Sequence, residues 1–310
     1  MATWDYDLII IGGGPAGLTA GIYAGRARLN AILLEKLIHG GQMMTTDLVE
    51  NYPGFPEGIS GYDLSDRMRR QAERFGLKIV IAEVSRLEPG AQVHRVWWEG
   101  GQATAAAVII ATGAKYRRLG VPGEEELVGK GVSFCATCDG ALYRDQEVAV
   151  VGGGDTALTD TIFLHRFASK IHLIHRRQEF RGAKYLQEEV FKLDKVQIHW
   201  DTVVTHIHGT QGVEALSLKN VKSGEVSRLP VAGVFITIGI TPNTDWLKGL
   251  LPMDEWGFLI TDAEMATSIP GIFAAGDVRA KSLWQIATAV GDGATAAFAA
   301  ERYLENRRRG

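Results

Sequence analysis

Two short apolar runs, each leading straight into a glycine turn and then a helical stretch, constrain this chain more than any other feature. Leu8-Ile9-Ile10-Ile11 runs into Gly12-Gly13-Gly14-Pro15-Ala16-Gly17, and 140 residues later Val148-Ala149-Val150-Val151 runs into Gly152-Gly153-Gly154-Asp155-Thr156-Ala157. An apolar run without alternation reads as a buried parallel strand. A second apolar strand follows each helical stretch, at residues 31–34 and 171–174. Strand, glycine turn, helix and strand make one βαβ unit of about 30 residues. Each copy also has a later apolar strand ending in a small turn, at 108–113 and 234–239. The expected fold class is α/β, with two Rossmann-like, three-layer domains. Residues 244–310 lack a third such unit, carry an expected small-residue helix from about Ser282 to Leu304, and are assigned back to the first domain. The expected division is 1–116 with 244–310 for a discontinuous first domain, and 117–243 for a second domain inserted into it.

Composition carries the same signature. Glycine is 37 of 310 residues, about 12% against a usual ~7%, while proline is not in excess. In the first turn, Gly12 permits the bend, Gly14 lets the backbone approach a pyrophosphate, and Gly17 lets helix and strand pack closely. Glu35, 18 residues beyond Gly17, ends the second strand, where a carboxylate accepts hydrogen bonds from a ribose diol. The second copy ends its corresponding strand with His175-Arg176-Arg177-Gln178-Glu179-Phe180-Arg181. A carboxylate there would repel a 2′-phosphate, whereas Arg176, Arg177 and Arg181 can clamp one. The first site therefore suits FAD and the second NADPH, and a hydride donor and acceptor in one chain imply electron transfer.

The only cysteines are Cys135 and Cys138. They are too few for a disulfide scaffold or a four-cysteine zinc site, and no histidine stands at a partner spacing beside them, so no metal is expected. A C-x-x-C pair reads as a redox dithiol, since such settings lower thiol pKa values toward neutrality. Asp139 next door is placed either to relay a proton or to form the turn before Gly140. Cysteines and arginines lie in the inserted domain, so we expect that domain to swing, presenting nicotinamide and dithiol to the flavin in turn. The net charge of −3 gives no electrostatic case for nucleic acid. The early acids Asp5 and Asp7 and the absence of a long apolar run point away from a secretory signal or membrane span, so the cytosol is the expected compartment.

Taken in order, these motifs resemble the low-molecular-weight thioredoxin reductases nearly end to end. The resemblance is carried by Gly12 to Gly17, Gly40-Gly41-Gln42, Glu50-Asn51-Tyr52-Pro53-Gly54, Ala111-Thr112-Gly113, Cys135 to Gly140, Gly152 to Ala157, the basic set at 175–181, and Gly276-Asp277. It implies a homodimeric FAD enzyme passing electrons from NADPH to thioredoxin. It places Gly41, Gln42 and Asn51 beside the flavin, with Thr112 and Gly113 at the same site. Gly276 and Asp277 fall at the ribitol or pyrophosphate, and Gln285 and Ala287 at the ring edge. It assigns Gly152, Gly154, Asp155, Thr156, Ala157 and His175, with the three arginines, to NADPH. It also implies that Cys138 is the flavin-proximal thiol, Cys135 the thiol that attacks thioredoxin, and Asp139 the proton donor.

Two places depart from the family pattern, and Asp155 does not. Trp284 stands where an arginine is usual before Gln285, and it either packs or shields a cofactor. Thr159-Asp160 replaces a pair of acids, and Asp155 occupies a position shared by Asn and Asp. Three other readings stay open on the residues alone: a dithiol oxidase, a reductase fed by a donor other than NADPH, and a non-catalytic redox sensor.

Overall fold

The run Leu8-Ile9-Ile10-Ile11 is buried throughout and forms the end of strand β1 (Tyr6–Ile11) in the computed structural model, which describes residues 3–37, 40–46 and 48–309. Pro15 opens helix α1 (Pro15–Arg26), at the one helical position where its missing N–H costs nothing. Strand β2 (Ala31–Glu35) returns parallel to β1, with Leu8 beside Ala31. Helix α2 (Gly61–Arg74) starts at Ser60, whose Oγ accepts the Asp63 amide at 3.0 Å, satisfying one of the unpaired amides of a first turn. Strand β3 (Lys78–Ile81) follows, and then an antiparallel meander of β4 (Val84–Glu88), β5 (His94–Trp98) and β6 (Gly101–Ile110).

Among the described residues these strands join in the order β3-β2-β1-β6-β5-β4, with Ile272–Ala274 also pairing with β6. The ten residues of β6 serve two neighbours along one edge: the first half pairs with β5, and Val108 to Ile110 pair with Ile272 to Ala274. Side chains alternate between the faces. Leu8, Ile10, Leu33 and Ile109 enter one core, and Ile9, Ile11, Ile32, Leu34 and Ile110 enter the other. That alternation is why runs without polar positions were needed: both faces of the sheet are covered.

Strand β7 (Ala114–Tyr116) leads away and β16 (Ile240–Pro242) leads back, the two pairing with each other. Between them lie β8 (Val132–Ser133), α3 (Ala136–Asp139), β9 (Glu147–Val151), α4 (Asp155–Leu164), β10 (Lys170–Ile174), α5 (Lys184–Phe191) and β11 (Val196–His199). They are followed by β12 (Thr202–Gly209), β13 (Val213–Asn220), β14 (Val226–Pro230) and β15 (Gly233–Ile236). A parallel sheet, β11-β10-β9-β15-β8, is accompanied by an antiparallel sheet, β12-β13-β14. Leu216 and Leu218 of β13 share a core with Ala149 and Val234, and α4 and α5 supply the core on the other face.

The chain thus forms two units, Met1–Lys115 with Thr241–Gly310 (unit 1) and Tyr116–Ile240 (unit 2). The fold is α/β, with two Rossmann-like domains and the second inserted into the first. The last helix corrects the sequence reading, which ran it from about Ser282 to Leu304: it spans Ile286–Arg309. Its start is delayed because Thr288 Oγ1 accepts the Gln285 amide at 3.1 Å. Its end is extended by exposed contacts, such as Arg308 Nη2 to Asp7 Oδ1 at 2.9 Å. Among the described residues no helix is long and apolar enough to cross a membrane.

Candidate active site

In unit 1 the first turn is built by exclusion. Gly12 has φ +107°, and a Cβ there would strike the Ala111 carbonyl; a Cβ on Gly17 would strike the Gly12 carbonyl. Around Gly14 nothing among the described residues lies within 4 Å of the Cβ position, so the helix start is open to a ligand approaching the backbone. The Gly13 amide donates to Glu35 Oε2 at 2.6 Å, and the Leu37 amide to Glu35 Oε1 at 3.1 Å, which fixes the carboxylate beside the turn.

Other expected positions of unit 1 are held by specific bonds. Gln42 donates its side-chain amide to the Ala114 carbonyl, and Asn51 Nδ2 donates to Gln285 Oε1 at 3.0 Å. Thr112 Oγ1 donates to the Asn243 carbonyl at 3.1 Å, while Asn243 Nδ2 donates to the Thr112 carbonyl at 2.8 Å. Gly113, at φ +66°, has open space where a Cβ would project, whereas Gly41, at φ +59°, has the Gly14 backbone 3.5 Å away. Gly276 at φ +78° donates its amide to Asp292 Oδ2 at 3.1 Å. Asp277 lies 3.1 Å from Lys281 Nζ, which also lies 3.3 Å from Asp292. Burial raises the Asp277 carboxyl above its ordinary value, opposed by the Lys281 charge. Ala287 is exposed on the first turn of the last helix. Trp284 packs on Phe258 with ring centroids 5.2 Å apart, and its indole N–H is buried without a hydrogen-bond partner among the described residues.

In unit 2 the second turn repeats the design. A Cβ on Gly152 would lie 2.6 Å from the Thr237 carbonyl and 2.7 Å from Ala157 Cβ, and nothing lies within 4 Å of that position on Gly154. Asp155 Oδ1 accepts the Ala183 amide at 2.7 Å, and the Gly153 carbonyl accepts the Arg181 amide at 2.7 Å. These bonds wrap the basic loop around the turn. His175 is buried against Phe180, Trp200 and Gly153, with Nε2 3.0 Å from the Glu179 carbonyl. Burial, and then the Arg177 and Arg181 charges, push its pKa down. Arg176, Arg177, Arg181 and Thr156 are exposed, while Ala157 is buried. None of the three guanidiniums is within ion-pair distance of a carboxylate among the described residues.

Cys135 and Cys138 form a disulfide, their Cα atoms 5.3 Å apart. Cys135 caps α3, and both cysteines are half-buried. Ser133, not anticipated from sequence, organises the pair. Its hydroxyl accepts the Cys135 amide at 3.1 Å and donates to Asp139 Oδ2 at 2.6 Å. Behind Asp139, burial and then the Asp139 charge push the Tyr143 hydroxyl up to about 12, so the phenol stays neutral. Only the short spacing from Ser133 to Cys135 could have hinted at this role, and Ser-x-Cys is no known signature.

An acidic dinucleotide turn, a basic one and a disulfide together define a nucleotide-dependent disulfide oxidoreductase. The chain matches the pyridine nucleotide-disulphide oxidoreductase family over residues 6–293. A thioredoxin reductase of Listeria innocua is 46% identical over 301 residues, covering 97% of this chain and 94% of that protein. One from Treponema pallidum is 44% identical, with 97% and 98% covered. The crystal structure of thioredoxin reductase from Streptococcus pyogenes superposes with a TM-score of 0.94 at 48% identity, covering 97% of this chain and 98% of that one. The chain belongs to the thioredoxin reductases, and it is an oxidoreductase with a redox-active cysteine pair.

Proposed function

We propose that this enzyme passes electrons from NADPH through FAD and the Cys135–Cys138 disulfide to oxidised thioredoxin, as a homodimer in the cytosol. The observation that carries the cofactor assignment is the contrast in charge beside two otherwise equivalent turns. The space at Gly14 and the fixed Glu35 carboxylate fit the pyrophosphate and unphosphorylated ribose of FAD. The space at Gly154 and the unmatched Arg176, Arg177 and Arg181 fit the pyrophosphate and 2′-phosphate of NADPH. Gly41, Gln42, Asn51, Thr112, Gly113, Gly276, Asp277, Gln285 and Ala287 complete the flavin site in this reading. Gly152, Asp155, Thr156, Ala157 and His175 shape the other.

The bound flavin supplies hydride acceptance and onward electron donation. The chain supplies the dithiol. Two electrons break the S–S bond; Cys138 takes the flavin-proximal role and Cys135 attacks the thioredoxin disulfide. Ser133 keeps the Asp139 carboxyl oriented by its 2.6 Å hydrogen bond, so that Asp139 can exchange a proton with the thiol pair.

Anaerobic NADPH titration of wild type and Cys138→Ser, followed by a thioredoxin-reduction assay, tests the reading. The yellow absorbance should bleach in both, with thioredoxin reduced by wild type only. Failure to bleach with NADPH would point to another electron donor. A Cys138→Ser enzyme that still reduces thioredoxin would overturn the role given to that thiol. Sedimentation of the wild type tests the dimer.

A further inference from the structure

One sulfur of the disulfide has a hydroxyl beside it. Thr137 stands between the two cysteines on α3, exposed to solvent, and its Oγ1 lies 3.4 Å from Cys135 Sγ. A sulfur held in a disulfide carries no hydrogen, so the threonine hydroxyl is the donor and the sulfur the acceptor. Ser133, by contrast, is buried, and its hydroxyl bonds the Cys135 amide at 3.1 Å and Asp139 Oδ2 at 2.6 Å. Two hydroxyls thus divide the work at this turn. Ser133 holds backbone and carboxyl, and Thr137 meets a reacting atom.

The backbone keeps these two side chains together when the S–S bond opens. The Cys135 carbonyl accepts the amides of Cys138 and Asp139, each at 3.2 Å, and Ser133 holds the Cys135 amide. These bonds fix the turn without help from the disulfide, so Thr137 Oγ1 stays beside the Cys135 side chain. A thiolate there has need of a donor. The 140–143 turn and α4 pack on α3, and the ionisable groups of the three elements besides Cys138 are Asp139, Tyr143, Asp155 and Asp160. All are acids, and an ionised acid nearby disfavours a second negative charge. Asp139 is bonded to Ser133, Tyr143 stays neutral, Asp155 accepts the Ala183 amide, and Asp160 is buried. Before the turn, the Arg118 guanidinium lies over the Phe134 ring, 4.5 Å from its centroid.

We propose that Thr137 is a further catalytic residue, whose hydroxyl hydrogen-bonds the Cys135 sulfur as it leaves the disulfide and again as it attacks the partner disulfide. The proposal rests on the reading of Cys135 as the thiol that attacks thioredoxin. Opening the Cys135–Cys138 bond takes two electrons from NADPH. One proton arrives with the hydride and one comes from solvent, giving two thiols and NADP⁺. Cys135 then releases its proton, its sulfur bonds to one sulfur of the partner disulfide, and the other partner sulfur leaves and is protonated. Cys138, deprotonated in turn, attacks Cys135 Sγ, which restores the internal disulfide and frees the second partner thiol. Thr137 keeps its own proton throughout. A hydroxyl donates more strongly to a thiolate than to a neutral sulfur, so its bond favours the charged states of Cys135 over the uncharged ones.

The test is Thr137→Val in the holoenzyme, which keeps the shape of the side chain and removes the hydroxyl, with Thr137→Ser to restore it. The dithiol is reduced with a small phosphine, so the readout needs neither NADPH nor thioredoxin. Iodoacetamide alkylation is followed against pH, and peptide mass spectrometry assigns the rate to each sulfur. In the valine variant the Cys135 midpoint should rise by about half a unit or more, with a smaller change at Cys138. Serine should return the Cys135 profile to that of wild type. A Cys135 profile unmoved by valine would overturn the proposal, as would equal shifts at both sulfurs or a serine variant that behaves like valine. If valine disturbs folding, Thr137→Ala takes its place with the same expected shift and the same overturning results. Thioredoxin turnover of the wild type, measured separately, reports whether the functional reading itself fails.

Discussion

At the middle glycine of each turn the two units part company. In unit 1, Gly13 faces Glu35, and its amide donates to the carboxylate at 2.6 Å. In unit 2, Gly153 faces the imidazole of His175, and its carbonyl accepts the Arg181 amide at 2.7 Å. The flanking glycines do the same steric work in both places. In the proposed reading one backbone device serves two nucleotides, and the residue that ends the second strand sets which one. A carboxylate offers acceptors to a diol; a neutral imidazole leaves the field to the arginines anchored behind it.

The largest effect should come from breaking the shared part. Gly17→Ala would drive a Cβ into the Gly12 carbonyl. A clash with backbone that cannot move is worth more than ~4 kcal/mol in the worst cases, so the protein should lose bound flavin and much of its thermal stability. Gly14→Ala meets nothing within 4 Å. It should keep its far-ultraviolet spectrum and melt close to wild type without ligand, yet retain little flavin. Gly152→Ala and Gly154→Ala should reproduce the same division for NADPH. If Gly14→Ala and Gly17→Ala unfold alike, the turn has no separate ligand face.

Next in size is the charge contrast. Changing Arg176, Arg177 and Arg181 together to alanine removes charge-assisted bonds that, on exposed side chains, are worth about 3–4 kcal/mol in all. The KM for NADPH should rise about a hundred- to a thousand-fold while that for NADH changes little. Steady-state kinetics with both donors measures this. Equal losses for the two would mean that the arginines do not read the 2′-phosphate.

A smaller loss is expected at Ser133. Ser133→Ala removes one bond to Asp139 and one to the Cys135 amide, about 1–2 kcal/mol. Thioredoxin reduction should slow about tenfold, with the NADPH-dependent bleaching step unchanged. Rapid-mixing kinetics separates the two half-reactions.

The contrast between units also marks what sequence could reveal. The βαβ cores were legible because both sheet faces are covered, so the buried stretches of β1, β6 and β9 appear as unbroken apolar runs, and that of β10 is interrupted only by His172. The charge difference at Glu35 and Arg176 was legible because it sits at a fixed offset from each turn. The antiparallel strands β12, β13 and β14 were not, since β14 is largely exposed and leaves little hydrophobic pattern to read. Ser133 stayed hidden for another reason. Its importance comes from hydrogen bonds to Asp139 and to the Cys135 amide, and nothing in the Cys-x-x-Cys spacing specifies which side chain arrives from a neighbouring strand.

The finest contrast concerns acid. Unit 2 holds four imidazoles whose pKa is lowered, burial being the first cause in each: His172, His175, His199 and His208. Among its described residues unit 1 has one, His94. A histidine with a depressed folded pKa stays neutral in the native state while the unfolded chain takes up a proton near pH ~6.5, so its contribution to stability is lost as pH falls through that value. Buried carboxyls with raised pKa act in the other direction. Asp160, at about 7 in the fold, binds its proton more readily when folded and gains stability as pH falls, as does Asp277 in unit 1. Four bases are set against one acid in unit 2, and one against one among the described residues of unit 1. On acidification from about pH 7.5 to 5.5, amide hydrogen exchange should therefore accelerate more in β9, β10 and β11 than in β1, β2 and β6, after correction for intrinsic rates. Asp160→Asn should widen that gap by removing the opposing acid. Equal protection losses in the two sheets would show that these imidazoles find compensation, and that the units differ only in what their turns bind.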